Sequence, residues 1–359
     1  MKLLFFTRDI SDCGGIQQTT CNLVSNLLMR DPSLEISIIS LYHKNILPFF
    51  SIPNKVERIA LFEKKINLHG ASKKIKNRIN KILRSLEFDV LIVQGCEYSN
   101  YIPTSIWGKK VIVCEHEYFG FGHTFGIHWR GVKKSISKAS AIVTLTELDA
   151  NDFRKKNKRQ IPIIHIYNAL VEIDKKLKQN VNDSKCIVSC GSLVQLKGFD
   201  RAIEVARKLF VKYPDWTWFI YGEGEYRSQL EKLITNYHLE NKVFLKGYEN
   251  DKAKIYADKA MLVVTSDFEG FGMVMIEAMQ FGLPIVSFDI KYGPKEIVED
   301  KKNGELIPIY DCTKLADRLG YLIENPELRN QYSEYTSKSI ERFSPQKIVS
   351  EWYKLINIL

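Results

Sequence analysis

Ala260 to Phe288 reads AMLVVTSDFEGFGMVMIEAMQFGLPIVSF. Two apolar runs, AMLVVTS and LPIVSF, have strand composition, and the segment between them has the length and residue types of a helix starting near Met273. The runs show no strict polar–apolar alternation, which suits parallel strands buried on both faces. The stretch is therefore a strand–loop–helix–strand unit. Three acids interrupt it, Asp267 and Glu269 in the loop and Glu277 in the helix, with Gly270-Phe271-Gly272 between the two glutamates. Buried carboxylates are costly unless paired or hydrogen-bonded, so the two glutamates need a reason. A first-turn acid favoured by the helix dipole is one ordinary reason for Glu277. It does not account for its apolar neighbours.

The same pattern recurs outward from this unit. KLLFF, EISIIS, DVLIV, KVIVCEH and AIVTL read as strands in the first half, and CIVSCGS, WTWFIYG and KVFLKG join the two above in the second. Helical segments between them predict an α/β chain of two doubly wound domains. The boundaries expected are 1–172, 184–340 and a terminal segment 341–359. The polar, aperiodic Val171–Lys185 is the linker between the first two. In RFSPQKIVSEWYKLINIL, Ser344 is placed to cap a last helix and Pro345 suits its first turn. Ile348, Trp352, Leu355 and Ile356 make its apolar stripe.

The chain has 359 residues, 45% hydrophobic and 26% charged, as in an ordinary soluble protein. No apolar run reaches the ~18 residues needed to cross a bilayer, and MKLLFFTRDI is too short-cored for a signal peptide. A cytoplasmic protein is expected. Seven scattered cysteines without C-x-x-C fit buried free thiols better than disulfides or a metal site. Residues 1–180 hold 28 Lys+Arg against 16 Asp+Glu, a balance of +12, while residues 181–359 hold 24 against 26, a balance of −2. The basic half should attract an anionic partner. Between Lys64 and Arg84 there are eight Lys/Arg and no acid, interleaved with Ile75, Ile79, Ile82, Leu83 and Leu86 at helical spacing. Such a helix can lie on an anionic membrane, or it can pack on its own domain with a solvated basic face. NILPFF, with Phe49 and Phe50, would add an apolar contact to a membrane.

Ligands of open α/β sheets bind at the carboxyl ends of the strands, and three loops there carry chemistry. Gly14-Gly15 follows the first strand and opens a helix, where free amides can meet an anion. Gly191-Ser192 ends a strand, and Lys197 stands just before the helix at Gly198-Phe199-Asp200. A lone lysine is more often simply solvated, but beside a helix start it can also hold a diphosphate. The Glu269 loop is the third.

These residues resemble the retaining nucleotide-sugar glycosyltransferases of family 4. The resemblance rests on Glu269-Gly-Phe-Gly through Glu277-Ala-Met (the E-x7-E motif) and Gly282-Leu-Pro. GEGEYRSQLEKL and YGPKEIVEDKKNGELIP follow the family's pattern in order around them, and GGIQQTTCNL and CEHE fit its amino-terminal domain. It implies the GT-B fold, two Rossmann-like doubly wound domains facing a central cleft, with the last helix crossing back to the first domain. It implies transfer of a hexose-type sugar from a nucleotide diphosphate sugar, UDP before GDP, to a glycan acceptor. By resemblance, Glu277 binds the donor's ribose and Glu269 its sugar, near the amides of Phe271, Gly272 and Met273, with Gly270 also donor-binding. Lys197 binds the diphosphate beside Gly191, Gly247-Tyr248 flank the base, and Gly15 lets its loop approach the donor. His116 stands beside the transferred sugar; His116 and Glu269 are the candidate catalytic residues. The family usually has Arg where Ser192 stands, so a charge is missing, and Lys291 and Lys295 are candidates to replace it.

No D-x-D occurs, and the resemblance implies no metal and no cofactor, the nucleotide sugar being substrate. The basic half suggests a lipid-linked acceptor, in polysaccharide or lipopolysaccharide synthesis, at the inner face of the membrane. Two other readings differ in class. A nucleotide-sugar 2-epimerase of the same fold would need no acceptor. A nucleic-acid-binding module would use the basic half, although no recognised motif or aromatic interleaving supports it.

Overall fold

The computed structural model describes residues 1–45, 47–68, 72–120, 126–171 and 181–359. The chain divides into two compact units, Met1–Ala169 with Phe343–Leu359, and Leu170–Arg342. Most of the expected linker, 172–180, and residues 69–71 before the basic helix lie outside the described residues.

The first unit is built on a parallel seven-stranded sheet: β1 Lys2–Thr7, β2 Glu35–Tyr42, β3 Glu57–Phe62, β4 Val90–Gln94, β5 Lys110–Cys114, β6 Ala141–Thr144 and β7 Ile163–His165. Their order is β3-β2-β1-β4-β5-β6-β7. In β1, Leu3 and Phe5 join one core while Leu4 and Phe6 join the other, on the opposite face. That is why KLLFF carries no polar alternation. The second unit holds β8 Cys186–Cys190, β9 Thr217–Tyr221, β10 Val243–Gly247, β11 Met261–Val264, β12 Ile285–Phe288 and β13 Gly304–Ile307. These too are parallel, in the order β10-β9-β8-β11-β12-β13.

Three strands were not expected from the sequence. β3 is half-buried and carries Glu57 and Arg58, β7 is three residues long, and β13 starts on a glycine with the charged Glu305 next. Glu305 tolerates its burial because Arg318 meets both oxygens at 2.6 Å and Lys301 adds a third contact at 2.8 Å.

The basic helix is Ser72–Ser85. Ile75, Ile79 and Leu83 are buried in the core of the first unit, with Ile82 and Leu86 partly buried against it. The apolar stripe is therefore spent on packing and cannot insert into a bilayer. Lys73, Lys74, Lys76, Arg78, Lys81 and Arg84 remain exposed. Phe50 packs on the core and Phe49 lies across it edge-on at 5.0 Å. No helix among the described residues is long and apolar enough to cross a membrane.

The last helix, Pro345–Ile358, places Ile348, Val349, Trp352, Leu355 and Ile356 in the same core as Leu23 and Val24 of helix Gly15–Arg30. Ser344 occupies the cap position, but its side chain makes no capping bond. Proline at the first turn removes one unsatisfied N–H and fixes φ, which reduces the need for one.

In each sheet the strand order reverses once, between β1 and β4 and between β8 and β11. Crossovers leave toward opposite faces there, opening a crevice at the carboxyl ends. The loops singled out above emerge beside these points.

Candidate active site

In the second unit, Gly191 follows β8, and the chain turns through Gln195–Lys197 before helix Phe199–Lys212. Gly198 makes that turn possible. Its φ is +63°, and a Cβ there would stand 2.2 Å from Thr265 O. Only glycine brings Lys197 this close to the end of β11. The lysine stem passes 3.7 Å from where a Cβ on Gly191 would be.

Lys197 Nζ then meets Glu269 Oε1 at 2.7 Å, and Ser266 Oγ donates to the same oxygen at 2.7 Å. Glu269 is 7% exposed. The expected diphosphate cation and the expected sugar carboxylate are thus each other's partners, across 72 residues of sequence. Their ion pair answers the burial cost of the acid. Gly293 packs this loop from the far side: a Cβ on it would come within 2.8 Å of Phe271 O and 2.9 Å of Glu269 Cβ.

Gly272 precedes helix Met273–Gln280 at φ +97°, Phe271 is buried and Gly270 is partly exposed. Glu277 is the fifth residue of that helix and 3% exposed. It lies beyond the first turn, so the helix dipole does not explain it. Lys252 Nζ stands 2.9 Å from its Oε1, and Tyr256 donates to its Oε2 at 3.0 Å. Gly247 ends β10 with its carbonyl accepting from Gly222 N at 2.8 Å, and Tyr248 beside it is 52% exposed. Ser192 is exposed. Of the candidates to replace its missing charge, Lys295 pairs with Asp289 at 3.3 Å and Lys291 lies 4.8 Å over the Tyr292 ring.

In the first unit, Gly15 opens helix Gly15–Arg30 and a Cβ on it would meet nothing within 4 Å. His116 follows β5, its Nε2 2.5 Å from Gln94 Oε1. The amide oxygen accepts, so Nε2 carries the proton. Burial lowers the imidazole pKa to about 4 against the pull of Glu115, leaving it neutral at ordinary pH.

Glu115 itself is 1% exposed, accepts from Glu117 N at 2.9 Å and lies 2.8 Å from His128 Nε2. Burial works against charge on His128, but Glu115 outweighs it and raises His128 to about 9. Asp149, which accepts from Phe119 N at 2.8 Å, is raised to about 8 by burial and by Glu115. Both groups hold protons in the fold that they release sooner when unfolded. Their stability is in place at low pH and drains as pH rises, for His128 between its unfolded value near 6.5 and about 9. The melting temperature should therefore fall between pH 6.5 and 9, by the equivalent of about 3 kcal/mol for His128. His128→Gln should flatten that slope, and equal slopes in the two chains would contradict the pairing.

Sequence reasoning missed Ser266, Lys252, Tyr256, Gly293 and Gln94. Gly293 had a local signal, a glycine before proline at the start of a short helix.

The family described as "Glycosyl transferases group 1" matches residues 171–339. An uncharacterized glycosyltransferase of Haemophilus influenzae is 31% identical over 353 residues, covering 98% of each chain. A poly(ribitol-phosphate) alpha-N-acetylglucosaminyltransferase of Staphylococcus aureus is 33% identical over 246 residues, 68% of this chain and 49% of that one. Among solved structures, the pneumococcal O-GlcNAc transferase GtfA in complex with UDP and GlcNAc has a TM-score of 0.80 at 15% identity, over 99% of this chain and 98% of that one. The two parallel-sheet units are those of the GT-B fold.

Proposed function

This chain belongs to the group 1 glycosyl transferases, and from that premise we propose that it is a retaining, family 4 enzyme of the E-x7-E type. It moves a hexose-type sugar from a UDP-sugar to a lipid-linked glycan in cell-surface polysaccharide or lipopolysaccharide synthesis. The observation that carries this is the Lys197–Glu269–Ser266 cluster where β8 and β11 end. It joins a cation suited to a leaving diphosphate with a carboxylate suited to the sugar left behind. UDP is favoured because the pneumococcal neighbour was solved with UDP and GlcNAc. A surface polymer is favoured by the acceptor named for the S. aureus relative. The family is one of transferases, which leaves the epimerase alternative without support.

Glycosyl transfer builds positive charge on the sugar and negative charge on the departing diphosphate. Lys197 and the amides around Gly272 and Met273 would take up the second. Retention through a covalent intermediate would require a carboxylate at the anomeric carbon. Glu269, already bonded to Lys197 and Ser266, is better placed to hold the sugar while the acceptor attacks on the face the diphosphate leaves. His116, neutral and tied to Gln94, serves as a hydrogen-bonding group and not as a base. No metal is invoked, and excess EDTA should leave turnover unchanged.

The deciding experiment is thermal protection by a panel of UDP- and GDP-sugars. A ligand at 100 times its dissociation constant adds about 2.7 kcal/mol. The protecting donor is then incubated with lipid-linked acceptor and the product anomer read by NMR. Protection by none, or an inverted product, removes the reading. For the membrane, the buried stripe leaves charge alone as the means of association. Sedimentation with anionic vesicles should be strong at low salt and lost at high salt. Absence of binding at low salt removes that part.

A further inference from the structure

Glu277 is held from two directions by one short helix. Lys252 and Tyr256 stand four residues apart on Lys252–Tyr256, so they project from one face and reach the two carboxylate oxygens separately. The helix is itself fixed. Asp251 caps it by accepting from Ala253 N at 2.9 Å, and Tyr221, at the end of β9, donates to Lys254 O at 3.0 Å. Tyr256 is fully buried, and the side chains of Lys252 and Glu277 are 22% and 4% exposed.

We propose that Lys252 and Tyr256 are positioning residues for nucleotide binding: they aim the Glu277 carboxylate at a ribose diol and cancel its charge in a site that must accept a diphosphate. The proposal rests on Glu277 as the ribose-binding residue. A carboxylate has about four lone-pair sites, so the contacts from Lys252 and Tyr256 do not by themselves exhaust it. A two-point hold fixes the carboxylate plane, which a single donor would leave free to turn about a broad terminal torsion. The charge matters separately. A buried carboxylate without a counter-ion repels an anionic ligand far more strongly than it would in water. Lys252 removes that repulsion, whereas Tyr256 contributes aim alone. Their effects should therefore separate by ligand charge.

The test is calorimetric titration with UDP and with uridine of the full chain and of Lys252→Met, Lys252→Arg, Tyr256→Phe and Glu277→Ala, with donor kinetics alongside. Lys252→Met is expected to weaken UDP by about tenfold and uridine by about threefold, and Lys252→Arg to restore UDP to within about threefold. Tyr256→Phe should weaken both ligands alike, by about three- to fivefold. Donor KM should rise in Lys252→Met with kcat nearly unchanged, a split that loss of stability alone does not produce. UDP affinity within twofold of the parent in both Lys252→Met and Tyr256→Phe, with Glu277→Ala weakened, overturns the brace and keeps the ribose reading. Unchanged affinity in Glu277→Ala, or no uptake of UDP by the parent chain, overturns both. Should Lys252→Met fail to fold, Tyr256→Phe decides: equal loss for the two ligands supports the brace, and no loss overturns it.

Discussion

Glu269→Gln should lower kcat by roughly 10²–10³-fold in a chain that still folds, and no glycosyl-enzyme should accumulate. Oε1 of Glu269 takes both the Lys197 ammonium and the Ser266 hydroxyl at 2.7 Å. Glutamine keeps an oxygen that can accept both bonds and loses the charge. A hydrogen bond to a charged partner contributes about 1.5–3 kcal/mol against about 1 for a neutral one. The rest of the expected loss comes from the sugar, whose developing positive charge no longer faces an anion. Ground-state nucleotide binding should move the other way. Lys197 no longer has to leave a carboxylate to meet a diphosphate, so UDP should bind as tightly as before or more tightly. The measurement is kcat and UDP inhibition in the two chains, with mass spectrometry of the quenched enzyme. More than a tenth of parental turnover in the variant, or a sugar adduct on Glu269 of the parent, would overturn the assignment.

Much of the fold was legible because parallel strands announce themselves as apolar runs. β1, β8, β11 and β12 were readable for that reason. β3 and β13 were not, since charged residues interrupt their apolar runs; Glu305 is held by Lys301 and Arg318, contacts that the run itself does not announce. The candidate site was proposed at the level of loops, because the ends of strands at a switch point are where ligands go. Its pairings were not. Nothing local to Lys197 says that it reaches Glu269, and nothing in NDKAKIYADKA says that Lys252 and Tyr256 will converge on Glu277. Such contacts depend on how β8, β10 and β11 are ordered in the sheet, which local sequence does not encode. The amphipathic helix shows the converse. Its stripe at Ile75, Ile79 and Leu83 has the same spacing whether it covers a core or a membrane, and only the core around it decides.

Lys197→Ala is expected to cost about 10³-fold in kcat/KM, near 4 kcal/mol, more than loss of one of two cations would. The reason is Ser192. With no arginine there, Lys197 is the cation that the turn after β8 brings against Glu269. Lys295 is engaged with Asp289 and Lys291 lies over Tyr292. Part of any loss could arise indirectly, since removing the lysine strands Glu269 with Ser266 alone, and an uncompensated buried charge is destabilising in itself. A double-mutant cycle separates the two. If Lys197 acts only by neutralising Glu269, the double variant Lys197→Met with Glu269→Gln should be no worse than Glu269→Gln. If it also holds the diphosphate, the double variant should lose UDP affinity that Glu269→Gln keeps. Ser192→Arg supplies the independent arm: a guanidinium restored beside the diphosphate should tighten UDP by about tenfold and recover part of the Lys197→Ala loss. Retention of more than a tenth of parental kcat/KM by Lys197→Ala would place the leaving-group charge on another residue, with Lys291 and Lys295 the next to substitute.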